Sequence, residues 1–246
     1  MENPVSRGNV DWEITRQTIG RIQEINPAFT SDNCLIGGSA AWFYRTLLEK
    51  ENDPDFPAVA YTPEEEAIWY SQDVDFIGTK RENYPSELQT EPEGSPPIVR
   101  INGVWVDTPD EGLFLTRNEA SKTAVEAENP ITGNSFQIAS PILLYREKKT
   151  LLQEKNRPQD ILHLKTFRQA SKLLLCKLAE DATLNQKQAG LLFKLLKEAE
   201  NIAPELLEDN QLFMRLSHQM EHLEKSPRTR ATYHLLKNQI LKIHKL

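Results

Sequence analysis

Residues 34–39 read Cys-Leu-Ile-Gly-Gly-Ser and residues 73–76 read Asp-Val-Asp-Phe. Cys34-Leu35-Ile36 is a short apolar run that predicts a buried strand, and Ser39 to Leu48 (SAAWFYRTLL) carries the alanines and long side chains that suit a helix. The two glycines between them predict a tight strand-to-helix turn. Lacking Cβ atoms, Gly37 and Gly38 let backbone N–H groups approach a phosphate, and the helix start behind them favours negative charge. Ser39 is placed either to cap that helix or to give its hydroxyl to a phosphate oxygen.

The second stretch supplies carboxylates. Alternation along a strand sends Asp73 and Asp75 to one face and turns Val74 and Phe76 toward a core. Two like charges on one edge are unfavourable unless a cation lies between them, and a hard divalent ion such as Mg²⁺ is suited to that place. A D-x-D pair alone is a weak and common signal that more often marks two solvated strand acids, so the glycine turn upstream carries much of the weight.

The order GGS, helix, then D-x-D on a strand resembles the nucleotidyltransferase superfamily related to DNA polymerase beta, nearest to its bacterial abortive-infection-type toxins. The resemblance runs over roughly residues 33 to 165. It implies a third carboxylate on a later strand, which Asp107 in Val104-Trp105-Val106-Asp107 matches. It also implies a lysine-bearing helix leading into an R...D segment. Ser140-Pro141-Ile142-Leu143-Leu144, Lys148 and Arg157-Pro158-Gln159-Asp160 are similar to that arrangement. On the family's pattern, Asp73, Asp75 and Asp107 would hold two Mg²⁺ ions, while Gly37, Gly38, Ser39 and Lys148 would hold a nucleoside triphosphate. The implied reaction moves a nucleoside monophosphate to an acceptor hydroxyl on a small molecule, a tRNA or a protein, with Asp107 serving the acceptor side as a metal ligand or general base. Membership of the toxin branch would imply an antitoxin partner. The alternative is a catalytically inactive protein of the same fold that acts as a binding or regulatory module.

The expected fold class is α+β: a nucleotidyltransferase-fold mixed sheet flanked by helices over residues 1–140, then an all-helical domain over 141–246. The chain of 246 residues has length for either one large or two small domains, and 39% hydrophobic with 26% charged residues is ordinary for a globular protein. No apolar run reaches the roughly 18 to 20 residues that cross a bilayer, and the polar start is unlike a secretory signal. A cytoplasmic protein without membrane partners is the expectation. Cys34 and Cys176 are the only cysteines, too few and too far apart for a disulfide framework or a zinc cluster. Charge is uneven. Through Ser140 there are 10 Lys and Arg against 24 Asp and Glu, a net of -14; from Pro141 there are 19 against 12, a net of +7. A basic helical half could hold a triphosphate or an RNA backbone, or simply present solvated lysines.

The remaining segments follow from local signals. Val10 to Ile25 has helical spacing and is stopped by Asn26-Pro27. Glu49 to Pro63, with three prolines and many acids, predicts an excursion, either surface decoration or a wall of an acceptor pocket. Thr62-Pro63-Glu64-Glu65 predicts a capped short helix ending near Tyr70. Thr79 to Pro97 predicts a loop, and Ile98 to Asp107 a hairpin turning at Asn102-Gly103. Glu111 to Thr116 and Ser135 to Ala139 are weaker strand candidates. Helices from Pro141 should break near Asn156-Pro158, Asp181-Asn185, Ala203-Pro204 and Ser226-Pro227. His218-Gln219-Met220-Glu221-His222 has the H-x-x-E-H spacing of inverted zinc peptidases, but little chain remains for their distant acidic ligand. Histidines on the surface of an amphipathic helix account for it better.

Overall fold

Apolar strands and amphipathic helices assemble into an α+β structure in the computed structural model, which describes residues 9–69, 71–78, 98–101, 103–108, 114–182, 186–224 and 230–243. Six strands form one mixed sheet: β1 (Cys34–Ile36), β2 (Asp73–Ile77), β3 (Ile98–Ile101), β4 (Val104–Asp107), β5 (Val125–Glu128) and β6 (Ser135–Ile138). Their order across the sheet is β3-β4-β2-β1-β6-β5. β1 runs antiparallel to β2 and parallel to β6, and β2 runs parallel to β4. Antiparallel pairs, β3 with β4 and β5 with β6, close the two sides. The three residues of β1 are all buried, as a central strand covered on both faces requires. β2 alternates instead, with Val74 and Phe76 fully buried and the two aspartates partly exposed.

Helix α1 (Trp12–Ile25) starts where Asp11 accepts a hydrogen bond from the Ile14 N–H at 2.9 Å, and it buries Ile19 and Ile22. A short α2 (Phe29–Asp32) leads into β1. Helix α3 (Gly37–Glu51) follows β1 with no intervening residue, and Gly37, left-handed at φ 66°, makes the tight junction between them. Thr62 and Glu65 close a reciprocal capping box on α4 (Pro63–Ile68), and Thr116 with Glu119 does the same on α5 (Arg117–Lys122). Of the strand expected over 111–116, Thr116 makes an isolated β-bridge and also caps α5, while residues 111–113 lie outside the described residues, as do the expected loop over 79–97 and Tyr70. The strand that precedes β6 is β5, which follows α5 and reverses at Gly133, φ 71°.

Helices make up the rest: α6 (Pro141–Lys155), α7 (Pro158–Ala182), α8 (Gln186–Ile202), a 3-10 turn at Pro204–Leu206, α9 (Asn210–Glu224) and α10 (Arg230–Ile243). Ser140 caps α6, accepting from the Leu143 N–H, with Pro141 in the first turn. Asn156 ends the helix in the left-handed region at φ 46°. The break expected near 226–227 falls outside the described residues. Across Ser140 the hydrophobic core is continuous: Tyr44, Leu48, Phe136, Leu143, Phe167 and Leu175 belong to one buried cluster. Among the described residues, no helix is long and apolar enough to cross a membrane.

The excursion after α3 is anchored. Phe56 is 1% exposed, and Arg215 of α9 lies over its ring at 5.5 Å while pairing with Asp53 at 2.6 Å. Glu51 pairs with Lys177 and Glu65 with Lys165 at 2.6 Å, so acids of the N-terminal part meet bases of the C-terminal helices.

Candidate metal and nucleotide site

The site begins with strand register. Asp75 on β2 lies between Ile36 on β1 and Asp107 on β4, so these two carboxylates are cross-strand neighbours, and Asp73 lies two residues along on the same face. One oxygen from each of Asp73, Asp75 and Asp107 falls within 4.8 Å of the others. The sheet thus brings together the three carboxylates expected from the sequence. Burial, with the charges of Asp73 and Asp107 added to it, holds the Asp75 carboxyl well above the ordinary carboxylate range. An oxygen-only set of three carboxylates this close fits a hard divalent cation such as Mg²⁺.

Gly37 and Gly38 fit against these acids by having no side chain. Gly37 has φ 66°, and a Cβ there would collide with Asp75 Oδ2. A Cβ on Gly38 would stand 2.6 Å from Ser71 Oγ. Both glycines line a cleft of about 360 Å³ together with Ser71, Gln72, Asp73 and Asp75. The first N–H groups of α3 have no acceptor within their own helix and belong to residues on this cleft wall.

Ser39 differs from expectation. Helix α3 starts two residues earlier than the sequence suggested, its N-cap is Ile36, and no side chain caps it. Ser39 is fully buried, donating from Oγ to the Asp73 carbonyl at 3.1 Å and accepting from Thr15 Oγ1 at 3.3 Å. Its hydroxyl ties α3 to β2 and α1, which places the aspartate strand against the glycine turn.

The opposite wall comes from α6 and α7. Lys148 reaches the cleft, but its Nζ is 3.0 Å from Asp160 Oδ1. Arg157 grips the same carboxylate through Nε at 2.7 Å and Nη2 at 3.1 Å. Asp160 is fully buried and so ties two cations at the junction of α6 and α7. His163, one helical turn beyond Asp160, completes this wall with Gln159. It is 3% exposed, packed edge-to-face against Trp69 with ring centres 4.8 Å apart. Burial, with Lys148 and Arg157 adding to it, pushes its imidazole well below the usual histidine range, so the ring is neutral. Sequence reading passed over Ser71, Gln72 and His163. A signal for the last was present: an i, i+3 partner of Asp160 on a helix faces the same way.

His218 is exposed on α9, and the side chain of His222 lies outside the described residues. Comparison with known proteins finds no match: no family model fits the chain, and no curated protein or solved structure is similar to it.

Proposed function

We propose that this chain is a Mg²⁺-dependent nucleotidyltransferase that moves a nucleoside monophosphate from a nucleoside triphosphate to an acceptor hydroxyl. The observation that carries the reading is the convergence of three aspartates from two strands beside a glycine-built helix start that faces a cleft. Asp73, Asp75 and Asp107 would hold the metal, which in such sites polarises phosphoryl oxygens and steadies the attacking and leaving oxygens. The N–H groups at Gly37 and Gly38 would donate to phosphate oxygens, and no Cβ blocks their approach. Lys148 and Arg157 supply positive charge to the facing wall, with Asp160 fixing where that charge sits. The acceptor is a small molecule, a tRNA or a protein, and an antitoxin partner is part of the same proposal.

A second reading, a binding module of the same fold without catalysis, is favoured by one observation: Lys148 is already engaged by a buried carboxylate and Ser39 by the Asp73 carbonyl. Incubation with each labelled triphosphate, Mg²⁺ and total tRNA or cell extract separates the two readings. Transfer of label by the wild type, reduced on the order of 100-fold or more in Asp75→Ala, supports the enzyme. Triphosphate binding without transfer supports the module, and label transfer that survives Asp75→Ala removes the mechanism.

A further inference from the structure

We infer that His163 is a nucleotide-contacting residue that recognises an uncharged hydrogen-bonding group of the substrate, a ribose hydroxyl or a base edge, and not a phosphate; this rests on the nucleotidyltransferase reading. Three observations carry it. His163 lines the same cleft as Gly37, Gly38, Asp73 and Asp75. Its Nδ1 is buried with no hydrogen-bond partner among the described residues. Aromatic packing sets its orientation, with Trp69 edge-to-face at 4.8 Å and Phe167 at 6.5 Å.

A buried polar atom without a partner is costly, and native structures retain one mainly where a bound group or water completes it. A structural histidine is usually held by a carbonyl or carboxylate on one nitrogen, which also fixes its tautomer. Here packing orients the ring and nothing described fixes the tautomer at Nδ1. The ring therefore offers a donor on one nitrogen and an acceptor on the other, adjustable to what enters the cleft.

The neighbouring cations decide which part of a nucleotide it meets. Burial favours the neutral imidazole, Lys148 and Arg157 add to that, and the same two cations are the groups that attract phosphate. A neutral ring beside them adds little to phosphate binding. It matches a hydroxyl, amide or ring nitrogen, groups that a cation recognises poorly.

The test titrates wild type and His163→Phe with ATP, GTP, CTP and UTP in Mg²⁺, and with inorganic tripolyphosphate. Phenylalanine keeps the ring against Trp69 and removes both nitrogens. The expected result is a loss of about three- to tenfold in affinity for whichever nucleotide the wild type binds, with tripolyphosphate affinity unchanged. Equal nucleotide affinity in the two proteins overturns the inference and leaves the nucleotidyltransferase reading standing. An equal loss for tripolyphosphate overturns it too, by showing a phosphate contact. Should the wild type bind none of the triphosphates, the functional reading falls and this inference with it. If His163→Phe does not fold, His163→Leu, which likewise removes both ring nitrogens, is read by the same outcomes.

Discussion

Gly37 meets two constraints at once, a positive φ of 66° and an Asp75 carboxylate where a side chain would begin. Either alone disfavours substitution; together they predict that Gly37→Ala destabilises the protein by about 1–3 kcal/mol, measured by urea denaturation. The two causes can be separated. In an Asp75→Ala background the collision is relieved while the backbone strain remains, so Gly37→Ala should cost less there than in the wild type. Equal costs in both backgrounds would show that the carboxylate does not press on the turn. At this scale the glycines and the D-x-D pair were legible because each has a backbone or periodicity requirement that shows in one dimension. Ser39 was misplaced for a physical reason. Serine at a helix start is ordinarily a cap, but here the preceding strand enters the helix directly and the hydroxyl is spent on the Asp73 carbonyl.

Elements were legible where their ends carry side-chain signals. The cap at Thr62 and the helical start at Pro141 were visible in sequence and recur in the structure, where Glu65 completes a capping box with Thr62. At Thr116 two signals hold together: its backbone makes an isolated β-bridge, and its hydroxyl with Glu119 three residues on caps α5. β5 was missed because Val125-Glu126-Ala127-Glu128, though it alternates, is short and built mostly of residues with low strand preference; its pairing with β6 holds it in the sheet. Helix α8 supplies a further test. Glu198 lies beside Thr123, at the end of α5, and Ser140, at the start of α6, and burial raises its carboxyl to about 7. A raised folded-state value means that the native protein holds a proton the unfolded chain releases near 4.5. Glu198 therefore destabilises progressively as pH rises from about 4.5 through 7. Glu198→Gln should raise Tm near pH 8 and leave it nearly unchanged near pH 4, followed by thermal denaturation across that range. A gain that is the same at both ends would mean that packing, not ionisation, is responsible.

For the whole molecule, the uneven charge of the sequence becomes an internal match. Glu51, Asp53 and Glu65 of the N-terminal part meet Lys177, Arg215 and Lys165 of the C-terminal helices. Their acids are 15–27% exposed and their bases 25–46%, and ion pairs near the surface contribute about 0–1 kcal/mol each and weaken as salt rises. They set register between the parts more than they hold them together. Packing does the holding, since Phe167 of α7 lies edge-on to Tyr44 of α3 at 6.0 Å and Tyr61 of the excursion bonds to the Leu162 carbonyl at 3.1 Å. The sequence showed a change from mixed to helical character at Ser140 but could not show that the buried surface is shared, because contacts between α3 and α7 join residues more than a hundred positions apart. Two measurements follow. Raising NaCl to about 1 M should lower Tm of the full chain only slightly. A chain ending at Ser140 leaves Tyr44 and Leu48 without α7 and should show no cooperative unfolding transition, whereas a sharp transition from that fragment would mean that the sheet part buries enough apolar surface to fold alone.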